Sequence, residues 1–230
     1  MSIEVTCRPQ RILIFWLLMF MHHTPLAKTA AMSYAVAGKV ILIDSRGNTL
    51  PDASNVVLFI DGPSEPPPQT KARISQKNQN FSPSVLPIVK GQTVSFPNDD
   101  IIYHNVFSLS KTKRFDLGVY EKGLTKYITF DQTGLVTIYC NIHPNMLSTI
   151  LVLNNSLFST TNTDGNFEIK GIPTDQTTLR TWHQLSDSQN ITLTPESATS
   201  PPLFLTITIP ITKSIRSHNN KFGNPYKTKY

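Results

Sequence analysis

A chain of 230 residues that is 39% hydrophobic and 16% charged carries enough apolar material to bury a core, which excludes an intrinsically disordered protein. Its formal charge of +6 arises from 21 Lys and Arg against 15 Asp and Glu. The surplus gathers at the end, where Lys213, Arg216, Lys221, Lys227 and Lys229 follow the last acid, Glu196, so the body of the chain does not point to nucleic acid.

The first 31 residues read as a secretory signal peptide. Arg8 and Arg11 precede a ten-residue apolar run, Ile12 to Met21, and small residues follow up to Thr29-Ala30-Ala31, the best cleavage pattern. Ten apolar residues are too few to span a bilayer as a helix. Arg8, Arg11, Lys28 and Glu4 would leave with the signal, so the remainder holds 18 Lys and Arg against 14 Asp and Glu. Cys7 would leave too, and Cys140 would be the one remaining cysteine, unable to form an internal disulfide. Export of such a chain implies a periplasmic or secreted protein with no transmembrane segment in its mature form.

No amphipathic helical period of useful length occurs after the signal. Short alternating or β-branched runs recur instead, at 39–43, 55–60, 84–89, 93–96, 126–130, 135–139, 149–153, 167–170, 178–182 and 203–209, separated by Gly, Pro, Asn and Asp. This pattern predicts an all-β protein built from sandwiches. Pro63-Ser64-Glu65-Pro66-Pro67-Pro68 reads as a stiff extended spacer, and the polar stretch 186–202 as a loop. The expected organisation is a signal at 1–31, an N-terminal β segment and spacer at 32–69, a sandwich at 70–153, a C-terminal β module at 154–212 and a basic, disordered tail at 213–230. The tail reads as solvated, or as an electrostatic handle for an acidic partner or an anionic membrane surface.

The chemistry is concentrated in Tyr139-Cys140-Asn141-Ile142-His143-Pro144-Asn145-Met146. A thiolate, an imidazole and a thioether share one short loop between two predicted strands, and His104 ends an extended apolar stretch upstream. Two imidazoles and one thiolate in a near-trigonal plane, with a weak thioether on the axis, suit copper cycling between Cu(I) and Cu(II). The residues therefore predict one type 1 copper held by His104, Cys140, His143 and Met146. Copper ligation would also protect an otherwise unpaired thiol in an oxidising compartment.

From about Ala72 to Leu153 the chain resembles the cupredoxins, with a ligand loop of amicyanin length. Ile74 to Asn78 and Phe81-Ser82-Pro83 look like the opening strands, Gly91-Gln92-Thr93-Val94 like the G-x-T-V strand, and Phe96-Pro97-Asn98 leads towards His104-Asn105-Val106. The resemblance implies a Greek-key cupredoxin sandwich with the four ligands just named. It further implies that Asn105 braces the ligand loops near the thiolate and that Tyr139 lies beside the path from metal to surface. Asp99 and Asp100 depart from the pattern by placing two acids near the site.

Two further segments resemble the halves of a carboxypeptidase-regulatory-like β-sandwich. Gly38-Lys39-Val40 through Asp44-Ser45-Arg46-Gly47 looks like its opening, and Thr163-Asp164-Gly165-Asn166-Phe167 with Gly171-Ile172-Pro173 looks like its close. Either the cupredoxin is inserted between them, so that 35–62 and 158–182 pair in one sheet, or the chain has a simple N-terminal extension and a separate small C-terminal domain. The whole layout resembles the periplasmic proteins called methylamine utilisation proteins. That resemblance implies a monomeric electron-transfer protein whose redox partner is an amine dehydrogenase or a cytochrome. Copper binding or delivery without a redox partner, and a structural β-module with a degenerate site, are the alternatives. An enzyme is not expected, because further copper centres need additional His pairs and the one adjacent pair, His22-His23, lies in the signal. His183, beside Trp182, reads as a surface or structural residue.

Overall fold

The computed structural model describes residues 33–194 and 203–212. The expected signal peptide and basic tail lie outside these residues. The described chain is all β-strand and turn, and no helix among the described residues is long and apolar enough to cross a membrane.

Two strands open the chain, β1 (Ser33–Ile43) and β2 (Val57–Ile60). The middle contributes β3 (Ala72–Arg73), β4 (Ser75–Lys77), β5 (Asn80–Ser82), β6 (Val85–Val89), β7 (Thr93–Pro97), β8 (His104–Ser108), β9 (Phe115–Tyr120), β10 (Thr125–Thr129), β11 (Gly134–Tyr139) and β12 (Leu147–Leu153). The chain then returns through β13 (Phe158–Thr160), β14 (Asn166–Pro173), β15 (Thr178–Trp182), β16 (Asn190–Thr192) and β17 (Leu203–Pro210).

The middle strands form one sandwich. A five-stranded sheet of order β6-β12-β11-β8-β9 faces a three-stranded sheet of order β10-β7-β3, and the β4-β5 hairpin stands beside them. Alternation supplies its core: Val94 and Phe96 from β7, Val136 and Ile138 from β11, and Ile150 and Val152 from β12 all turn inward, with Ile74, Ile88 and Phe130. Cys140 and Met146 belong to the same buried cluster.

The outer strands form a second sandwich. Its sheets are ordered β14-β1-β17 and β13-β2-β15-β16, around Val36, Val40, Leu58, Ile60, Phe167, Ile169 and Leu179. The N-terminal segment and the 158–182 segment thus pair through two sheets, not the one expected. β1 takes β14 and β17 as neighbours, while β2 takes β13 and β15. Two glycines of these segments serve close approach: a Cβ on Gly38, within β1, would lie 2.0 Å from the Leu205 carbonyl oxygen, and one on Gly165, in the Thr163-Asp164-Gly165 turn, would lie 2.1 Å from that of Val40. The stretch expected to be a loop after Ser186 contains the short strand β16, which pairs with β15 over three residues.

β2 and β12 join the two sandwiches, and their sequences show why. All four residues of β2 are buried, which a period of two permits only if both faces are covered. Leu58 and Ile60 face the second core. Val57 and Phe59 instead meet Val85, Leu151 and Leu153 in a third cluster, flanked by Phe158 and Trp182. β12 does the same in mirror fashion, with Ile150 and Val152 in the first core and Leu151 and Leu153 in the shared cluster. The Pro-rich spacer lies strapped along this junction: Glu65 accepts hydrogen bonds from Ser156 N (2.9 Å) and Ser156 Oγ (2.7 Å), and Gln92 Nε2 donates to the Thr70 carbonyl at 3.1 Å.

Candidate metal centre

β11 and β12 are antiparallel with Tyr139 opposite Leu147, so residues 140–146 form the loop of one hairpin. Cys140 N donates to the Met146 carbonyl (3.3 Å) and Met146 N to the His143 carbonyl (3.1 Å). These bonds pinch the loop and turn its side chains towards β8, whose first residue is His104. Tyr139 pairs with Phe107 of β8, and their rings lie 5.7 Å apart.

His104, Cys140 and His143 converge there. Their ligand atoms all lie within 4.8 Å of one another. His104 Nδ1 is 3.0 Å from His143 Nδ1, and Cys140 Sγ is 3.7 Å from the same nitrogen. His104, Cys140 and Met146 are fully buried, whereas His143 is half-buried next to the exposed Ile142. Burial holds the His143 pKa below the ordinary imidazole value, with the neighbouring His104 acting in the same direction. A neutral ring offers a lone pair, as a metal ligand must.

The two acids that set this sequence apart have different tasks. Asp99 faces outward, 2.5 Å from an Arg73 guanidinium nitrogen and 2.5 Å from Ser75 Oγ. Asp100 turns inward, with Oδ2 3.0 Å from His104 Nε2. A carboxylate only accepts, so His104 donates to it through Nε2–H, and it is Nδ1 that faces His143 and Cys140. Gln79 N donates to the same oxygen at 2.9 Å, and Ile101 N donates to Oδ1 at 2.9 Å. With the Gln79 N–H as the largest cause and His104 next, the Asp100 carboxyl is held down at about 2. The Gln79 N–H reaches it because Asn78 and Gln79 both have positive φ (52° and 55°), the two-residue turn that closes the β4-β5 hairpin.

The donor set fits a thiophilic, imidazole-binding metal. Two Nδ1 atoms and one sulfur meet in an enclosed place, and the far nitrogen of His104 is already committed to a carboxylate. Asp100→Asn should weaken metal binding about 10- to 100-fold, because the amide no longer enforces the Nε2–H tautomer or supplies a negative charge behind the ring. Competition titration against a chromophoric chelator measures this directly.

Asn105 follows His104 and is buried. Its Oδ1 accepts from Asn141 N at 3.1 Å, inside the ligand loop, and its Nδ2 donates to Asp116 Oδ1 at 2.8 Å. His183 stands apart, directly after β15. Its Nδ1 accepts from Leu185 N at 3.4 Å, burial lowers its pKa, and it joins no metal-type cluster among the described residues.

No protein-family model matches the chain, and no curated protein matches it. Solved structures do. A purple cupredoxin from Nitrosopumilus maritimus is 26% identical over 36% of this chain and 99% of that one, with a TM-score of 0.33. A Cu(I) mutant of amicyanin is 18% identical over 41% of this chain and 97% of that one, TM-score 0.34. A Cu-containing nitrite reductase from Thermus scotoductus SA-01 is 23% identical over 43% of this chain but 26% of that one, TM-score 0.36. At TM-scores of this size the likenesses decide nothing by themselves, and the weight falls on the residues that meet at the loop.

Proposed function

We propose that this chain is an exported cupredoxin that holds one copper ion at His104, Cys140, His143 and Met146 and passes single electrons to and from a redox partner. One observation carries the reading: two imidazole Nδ1 atoms and a thiol sulfur lie within 4.8 Å of one another at the end of an all-β sandwich, with a buried methionine three residues further along the same loop. Copper bound there would supply a one-electron couple, because two imidazoles, a thiolate and a thioether are a compromise between the preferences of Cu(I) and Cu(II).

The protein's own groups do the rest. Cys140 would give the thiolate, His104 is oriented by Asp100, and Met146, buried in the core, would offer a weak thioether donor. His143 is the ligand that reaches the surface, so its outer edge is the natural point of electron exchange, with Ile142, Pro144 and Asn145 exposed around it. Tyr139, half-buried before Cys140, offers a second exit. An amine dehydrogenase or a cytochrome in the periplasm is the proposed partner class, and the carrier itself is proposed to be monomeric and without enzymatic activity. The copper sandwich is proposed to be an insertion into a split second module formed by β1 and β2 on one side and β13 to β17 on the other.

Titration of the metal-free protein with Cu(II) should give one equivalent bound, an intense visible thiolate-to-copper band and a reversible one-electron wave. Met146→Leu should leave the protein coloured while raising the reduction potential, since losing a weak donor destabilises Cu(II) more than Cu(I). Colourless binding by the unaltered protein would overturn the electron-transfer reading. Loss of copper in Met146→Leu would show that Met146 holds more of the site than an axial ligand does.

A further inference from the structure

The brace between the two ligand-bearing segments extends one residue beyond Asn105, to the edge strand β9. Asn105 has an amide whose two ends differ chemically while having nearly the same shape. Turned one way, Oδ1 accepts the Asn141 N–H and stitches β8 to the ligand loop. Turned the other way, an NH2 group would confront that N–H and the stitch would be lost. Asp116 removes the choice: its Oδ1 lies 2.8 Å from Asn105 Nδ2, and a carboxylate accepts only.

The backbone is shaped to place that carboxylate. β8 and β9 pair with Asn105 opposite Val119 and Phe107 opposite Asp116, so β9 carries one extra residue and bulges. Gly118, in the bulge, has a φ of +68°, a conformation glycine adopts without strain. Its N–H donates to the same Asp116 Oδ1 at 2.9 Å, which locks the carboxylate against the bulge. Bulges re-aim side chains, and here the result is an acid on an edge strand directed at the amide behind the first histidine.

We infer that Asp116 is a positioning residue: through Asn105 it fixes the backbone of Asn141, and with it the loop that carries Cys140, His143 and Met146. The inference rests on the copper reading for its functional meaning, but its mechanical content is testable without metal. In the metal-free protein, amide hydrogen exchange at Asn141 should accelerate about tenfold in Asp116→Leu, the effect of freeing one buried hydrogen-bonded amide. Exchange at Val136 and Ile138, in the paired part of β11, should stay as in the unaltered protein. Asp116→Asn should restore slow exchange, because its side-chain oxygen still accepts from Asn105 and Gly118.

With copper bound, Asp116→Leu should also shift the reduction potential, whereas Asp131→Asn, which removes an equal charge from a surface pair with Lys113, should leave it in place. Asp116 is exposed, so its loss leaves the cores intact, and Asp116→Ala repeats the test with a smaller side chain. Unchanged Asn141 exchange in Asp116→Leu and Asp116→Ala, an acceleration shared equally by Val136 and Ile138, or failure of both variants to fold would each overturn the inference. If the unaltered protein binds no copper, the exchange result stands and only the copper reading falls.

Discussion

Cys140→Ser should remove altogether the intense visible absorption expected of the Cu(II)-loaded protein. The band requires a sulfur-centred donor orbital, and the serine hydroxyl is neutral at pH 7 and a poor ligand for a soft metal. The replacement is close in volume, and Cys140 sits fully buried in a core that also contains Val136, Ile138 and Ile150, so packing changes little. The pinch from Cys140 N to the Met146 carbonyl is a backbone contact and survives. Copper affinity should fall along with the colour, since two imidazoles and a thioether are left to hold the ion. The check is a visible spectrum of the variant at saturating Cu(II), alongside thermal unfolding of the metal-free form to confirm that the fold persists. A variant that keeps the band would show that the thiolate is not the donor, and the ligand assignment would go with it.

The loop Cys140 to Met146 was legible as the turn of a hairpin because its signal is local. Cys140, His143 and Met146 occupy seven residues of one hairpin, and the alternating run from Gly134 to Tyr139 announces the strand that presents them. Asp100 was not legible in the same way. Its proximity in sequence to His104 raised the question of local charge, but its inward turn depends on the Gln79 N–H, which a hairpin more than twenty residues upstream supplies. Strand β9 escaped detection for a related reason. The stretch Phe115-Asp116-Leu117-Gly118-Val119-Tyr120 contains a glycine and a bulge, so its inside-outside alternation breaks. The two-sheet arrangement of the second sandwich was hidden because turn motifs locate hairpins but not the face each strand covers. β2 held the clue in its uninterrupted apolar run, whose second partner, β12, belongs to the other sandwich.

Removal of residues 33–62 should unfold the second sandwich while the metal centre stays assembled. The deleted segment contains β1, which lies between β14 and β17, and β2, which lies between β13 and β15. Each sheet therefore loses an interior strand, leaving β13, β14, β15 and β17 with unpaired backbone and half a core. Val36, Val40, Leu58 and Ile60, which fill the centre of that core, go with them. The cluster around Phe96, Val136, Ile138, Cys140 and Met146 draws no residue from the deleted segment, so the loop and His104 keep their supports. The first sandwich does not escape unharmed, because Val57 and Phe59 cover Val85, Leu151 and Leu153. Uncovering those three gives up part of the roughly 1.5–3 kcal/mol that each buried large aliphatic side chain contributes, and it leaves an apolar patch that promotes self-association. The truncated protein should therefore bind Cu(II), melt at a lower temperature than the full chain and exchange the amides of Phe167 to Ile169 at the rate of an unfolded peptide. Full protection of Phe167 to Ile169 after the deletion would mean that residues 158–210 fold without β1 and β2. Loss of copper binding would mean instead that the cover supplied by Val57 and Phe59 is what holds β6 and the far end of β12, and through them the loop, in place.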